Sequence, residues 1–156
     1  MSKKLLAECF KIFNEGNSFY ENKSSASENS ATVRVNARYR AVCRIKVDDG
    51  IVKKGNTGQD RCDFLFVIEE GKTRLFLFVE LKGGGTNGED AANQLINTID
   101  FFKGKHGIPS KDDKIVGLVV GGRATVKMIE VKERFKKKYG GELIHKSGNK
   151  QSYEYL

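Results

Sequence analysis

The stretch Asp63-Phe-Leu-Phe-Val-Ile-Glu-Glu-Gly-Lys-Thr-Arg-Leu-Phe-Leu-Phe-Val-Glu-Leu-Lys82 decides how this chain folds. Two runs rich in Phe, Val and Leu, Asp63 to Glu69 and Arg74 to Lys82, flank the polar Glu70-Gly-Lys-Thr73. Such runs, bounded by a glycine-containing turn, predict two buried strands joined as an antiparallel hairpin. Pairing about that turn matches residues whose numbers sum to 143 (70 with 73, 63 with 80), which sets Asp63 opposite Glu80. Side chains alternate along a strand, so Glu80 and Lys82 share the face of Phe76 and Phe78.

Working outward, Thr86 with Glu89 is a capping-box signal for a helix carrying Ala91, Ala92, Leu95, Ile96, Ile99 and Phe102 at helical spacing. Ile115 to Val120 reads as a short apolar strand, and Val126 to Tyr139 as a basic helix apolar at Val126, Ile129 and Phe135. Glu142 to Ile144 and Ser152 to Leu156 are expected as two short edge strands. Upstream, Lys3 to Phe13 has the period of an amphipathic helix, and the small, polar segment from Glu21 to about residue 31 is expected as a flexible loop. Asp48-Asp-Gly50 reads as a turn and Lys53 to Gly58 as a loop. The order of elements predicts an α/β (α+β) fold. Its centre is a four- to five-stranded mixed sheet flanked by helices, in a single domain over 1–156.

Val33 to Val47 alternates throughout: Val33, Val35, Ala37, Tyr39, Ala41, Cys43, Ile45 and Val47 on one side, with Arg34, Arg38, Arg40, Arg44 and Lys46 on the other. A run of this length exceeds an ordinary strand, so a bend or break is expected within it. The four arginines are the candidate nucleic-acid-binding face, because guanidinium groups suit bidentate phosphate contact. They also concentrate part of an overall excess of 28 Lys and Arg over 20 Asp and Glu, a net charge of +8. That balance favours a polyanionic partner. The helix run Lys132 to Lys138 is a second candidate phosphate-binding surface, with Lys136-Lys-Lys138 in it read as a solvated face.

No apolar run is long enough for a membrane span, and the N-terminal stretch lacks the pattern of a secretory signal. Three cysteines without CxxC spacing, and only two histidines, argue against a structural zinc site and for reduced thiols of a cytoplasmic protein. No membrane partner is expected.

Two carboxylates and a lysine gathered by one hairpin have a definite chemical use. Asp63, Glu80 and the backbone oxygen of Leu81 form a hard oxygen donor set suited to Mg²⁺ or Mn²⁺. Lys82 can orient or deprotonate an attacking water and offset charge in the transition state. The bland alternative is a surface hairpin with a Glu–Lys pair.

These residues resemble a family. Asp63-x16-Glu80-x-Lys82, followed by Gly83-Gly-Gly85 and a helix bearing Gln94, is similar to the PD-(D/E)xK phosphodiesterase superfamily, which includes many restriction endonucleases, Holliday-junction resolvases and recombination exonucleases. The motif spans about residues 60–102. The resemblance implies a restriction-endonuclease-like core with Asp63 and Glu80 as metal ligands and Lys82 as the catalytic lysine. Gln94 takes the place of a helix glutamine close to the active site in some members. Cys62 replaces the motif's proline. Some members add a glutamate from the first helix, for which Glu8 is the candidate, ahead of Glu15 and Glu21.

The expected function is therefore that of a Mg²⁺- or Mn²⁺-dependent nuclease, a hydrolase of phosphodiester bonds acting on DNA rather than RNA. The alternative is a catalytically inactive nucleic-acid-binding or regulatory module with the same fold. A third class is a factor that binds a protein through its basic surface. No recognition helix or zinc finger is legible. A homodimer, placing two sites on two strands, suits the small size.

Overall fold

The structure is a computed structural model that describes residues 20–21, 24–48, 61–82 and 87–155. Its elements in chain order are β1 (Tyr20–Glu21), β2 (Ser25–Glu28), β3 (Ala31–Asn36), β4 (Val42–Lys46), β5 (Phe64–Glu70) and β6 (Thr73–Leu81). They are followed by α1 (Gly88–His106), β7 (Lys114–Val120), α2 (Lys127–Tyr139), β8 (Leu143–Lys146) and β9 (Lys150–Glu154). The helix expected over Lys3 to Phe13 and the loop at Lys53 to Gly58 lie outside the described residues.

The β5–β6 hairpin forms in the expected register. Phe64 faces Val79 and Glu70 faces Thr73, and each pair of numbers sums to 143. The turn works because Gly71 takes a φ of 58°, a left-handed conformation free of the Cβ clash. Around this hairpin the main sheet has the order β1-β4-β5-β6-β7-β8. β1, β4, β5 and β6 pair antiparallel, whereas β7 and β8 add in parallel. The sheet is thus mixed.

Parallel neighbours require crossovers, which α1 and α2 supply. Two successive crossovers of one hand, advancing the same way along the sheet, place both helices on the same face. Leu95, Ile99 and Phe102 of α1 and Met128, Val131 and Phe135 of α2 are buried there with Cys43, Ile45, Leu65, Val67, Phe76 and Phe78. The opposite face is covered by a second sheet, β2-β3-β9. Ala26, Val33 and Val35 there meet Phe66, Ile68, Leu77, Val79 and Leu81. The hairpin is buried on both faces, which explains its nearly continuous apolar runs.

Three expectations change, and one is met. The segment Glu21 to Ser30 is not all loop: β2 pairs with β3 across Asn29 and Ser30, whose φ values of 52° and 63° make a tight hairpin. Its small residues hid the strand, since Ala26 alone of β2 is buried. The break expected in the Val33–Val47 run is present, between Ala37 and Ala41, and its halves enter different sheets. α2 buries Met128, Val131 and Phe135, and Val126 and Ile129 face solvent. The cap of α1 is Asn87 without a side-chain hydrogen bond, and Thr86 lies outside the described residues.

Candidate active site

Asp63 and Glu80 sit where the hairpin ladder ends. Asp63 N–H donates to the Val79 carbonyl at 3.1 Å, and the Asp63 carboxylate accepts the Leu81 N–H at 2.8 Å through Oδ2. Both acids are buried, with 5% and 2% of their surface exposed. Lys82, past the end of β6, is partly exposed and holds its ammonium 3.8 Å from Glu80 Oε1. That separation is too long for a hydrogen bond and leaves the ammonium beside the carboxyl group rather than bonded to it.

Burying a carboxylate without enough donors disfavours its charged form. Burial pushes the Glu80 carboxyl up to about 10; the hydrogen bond and charge of Asp63 and the charge of Asp48 add to this, while Lys82 acts against it. Glu80 therefore keeps a proton at neutral pH. Its Oε2 has no hydrogen-bond partner, and Gln94 Oε1 on α1 is likewise buried and unpartnered. An unpaired buried acceptor on Glu80, beside the Asp63 carboxylate, is what a cation would satisfy, so the acid pair fits a hard divalent ion. Leu81 O, expected as a further ligand, accepts Asn29 Nδ2 at 3.1 Å, which occupies one of its lone pairs. Among the described residues no cluster of three or more His, Cys, Asp or Glu side chains completes a metal shell.

Other residues support the acids in ways their spacing did not reveal. Thr98 of α1 accepts the Cys62 N–H at 2.8 Å and donates to the Gln94 carbonyl at 2.7 Å, fixing the helix against the residue before Asp63. Asp48, read as a turn residue, bonds through its N–H to Cys62 O at 3.2 Å and lies close enough for its charge to act on Glu80. Lys82 N–H donates to Val120 O at 2.8 Å, next to a turn in which Gly121 and Gly122 have φ values of 84° and 74°. Arg123 follows that turn, exposed, and its carbonyl accepts the N–H of Gly88 at the start of α1. Gly-Gly-Arg directly after an apolar strand was the available signal for this turn.

The arginines do not form one face. Arg34 is exposed on β3 in the second sheet, and Arg38 and Arg40 lie in the turn. Arg44 on β4 is half-buried, donating to Ser25 O at 2.9 Å and packing over Phe64. Alternation fails as a guide here because a left-handed Arg38, at a φ of 57°, redirects the chain. Glu8, Glu15 and the glycines Gly83 to Gly85 fall outside the described residues, and of Glu21 only the pairing with Arg44 is described. No helix among the described residues is long and apolar enough to cross a membrane. No family model, curated protein or solved structure matches the chain.

Proposed function

We propose that this protein is a divalent-metal-dependent nuclease of the PD-(D/E)xK type, cutting DNA in preference to RNA. The observation that carries this reading is the hairpin end itself. It brings Asp63, a protonated Glu80 with an unpaired oxygen and a partly exposed Lys82 to one point of a basic protein. Mg²⁺ or Mn²⁺, when bound, supplies charge neutralisation at a phosphoryl oxygen and acidifies water nearby. The chain's own residues do the rest. Asp63 and Glu80 would hold the cation, Glu80 releasing its proton to solvent, and Lys82 would orient the attacking water and offset charge developing on the phosphate. Gln94, with its free carbonyl oxygen, is placed to hold a water or a ligand proton.

One observation favours a second reading, a nucleic-acid-binding module without catalysis: Asp63 Oδ2 is already committed to the Leu81 N–H. A cleavage panel separates the two. Single-stranded, duplex and branched DNA and the matching RNAs are incubated with Mg²⁺ or Mn²⁺. Cleavage by the wild type that falls about 10²- to 10⁴-fold in Lys82→Ala, with binding retained, is the expected result. Binding without cleavage of any substrate selects the second reading. A homodimer and a cytoplasmic location accompany the nuclease reading as proposals, the first checked by light scattering.

A further inference from the structure

The turn joining β3 to β4 carries Tyr39 with its side chain fully exposed, between Arg38 and Arg40, both also exposed. Ordinary turn chemistry would place Gly or Asn at the left-handed position and small polar residues around it. Here an arginine takes the positive φ of 57° and an aromatic ring stands next to it. The turn is braced from beneath. Arg38 N–H donates to Asn36 Oδ1 at 3.1 Å, Arg40 N–H to Ala37 O at 3.1 Å, and Tyr155 N–H to Asn36 O at 2.9 Å. The Arg40 guanidinium lies 4.1 Å from the centre of the buried Tyr155 ring. Among the described residues neither the Tyr39 ring nor the Arg38 guanidinium has a partner. A rigid support thus holds out an uncovered π-face flanked by two cations.

We propose that the Arg38–Tyr39–Arg40 turn is a contact for an unpaired nucleobase, with Tyr39 stacking on the base and the two arginines holding its flanking phosphates. This rests on the nuclease reading and deepens it, naming single-stranded or frayed nucleic acid as the form held. Every base offers a π-face, so the contact is tolerant of sequence, and a base inside a duplex has that face covered by its neighbours. Arginine adds salt-sensitive phosphate contacts. The turn lies away from the acid pair: Lys46 pairs with Phe64 beside Asp63, whereas Ala41 O accepts the N–H of Glu69. Six residues of β5 separate the two points, about 20 Å at the rise of a strand. At the stacking distance of a single strand, that is roughly six nucleotides.

Fluorescence anisotropy tests the contact, with a labelled oligothymidylate of about 15 nucleotides and a blunt duplex of equal length in EDTA, so that cleavage is silent. Tyr39→Ala is expected to weaken oligothymidylate binding by about 5- to 150-fold and to leave duplex binding within about twofold, while Tyr39→Phe binds like the wild type. Arg38→Ser lowers the salt slope by about one. Unchanged oligothymidylate affinity in Tyr39→Ala, or equal loss on both ligands, overturns the proposal. The two readings fail separately. Tyr39-dependent binding by a protein that cuts nothing keeps the contact and removes the nuclease. Cleavage by the wild type with a Tyr39→Ala variant of normal affinity removes the contact and keeps the nuclease. A wild type that binds neither ligand overturns the contact outright.

Discussion

Asp63 Oδ2 accepts the Leu81 N–H at 2.8 Å, so the first acid of the site also serves the backbone of the strand that carries the second. A carboxylate in this position holds Glu80, between Val79 and Leu81, in place from both sides, because Asp63 N–H bonds Val79 O. Structure and chemistry are coupled through one side chain.

Replacing Asp63 should therefore cost stability as well as activity. Asp63→Ala leaves a buried N–H unpaired and is expected to lower unfolding free energy by about 1–3 kcal/mol. Asp63→Asn can present its carbonyl oxygen to Leu81 and should retain most of that stability while losing the charge. Urea unfolding of both variants, beside their cleavage rates, checks this. Equal stability of Asp63→Ala and the wild type would show the bond to be dispensable.

The raised Glu80 carboxyl predicts a pH dependence with a definite sign. Its folded value of about 10 lies above the ordinary 4.5, so the folded state binds more protons between those values. Stability contributed by Glu80 is complete below the ordinary value and is lost progressively as pH rises towards the folded one. Glu80→Gln removes the titration, and its thermal midpoint should fall less than that of the wild type between about pH 5 and pH 9 in EDTA. A cation that needs the carboxylate must displace the proton, so Mn²⁺ affinity should rise about tenfold per pH unit in the neutral range. Calorimetric titration of wild type and Glu80→Gln at several pH values measures it, and pH-independent Mn²⁺ binding would contradict the assignment of Glu80 as a ligand.

Gly121 sits against the catalytic candidate. A Cβ added there would lie 1.9 Å from the Lys82 carbonyl oxygen, and the φ of 84° is costly for any side chain. Gly121→Ala is expected to destabilise by about 2 kcal/mol or more and to depress cleavage beyond the effect of unfolding, because Lys82 must shift. Gly71→Ala is the comparison. It has positive φ but open space, and should cost about 1 kcal/mol with cleavage unaffected. Thermal melts and single-turnover rates of the pair separate strain from displacement.

Much of the site was legible because a hairpin is a local object. The turn sets the register as far as Phe64 against Val79, which brings Asp63 to the end of β6, and the period of two sets Lys82 beside Glu80. Asp48 and Thr98 were not legible. Their contacts with Cys62 and Glu80 join segments far apart in the chain, and nothing in local spacing encodes such pairings.

The alternation of Val33 to Val47 shows the same division from the other side. Apolar and basic positions correctly marked strand, but alternation is silent about which sheet a strand joins. A left-handed Arg38 sends β3 and β4 into different sheets, so Arg34 and Arg44 no longer share a face. By itself the sequence determined the hairpin, its register and which acidic and basic residues stand at its end, since these follow from turn geometry and side-chain alternation. Only the tertiary structure decided the burial that keeps Glu80 protonated, the partners of the acids and the isolation of Tyr39 at an exposed turn. Each of these depends on what long-range packing removes from water.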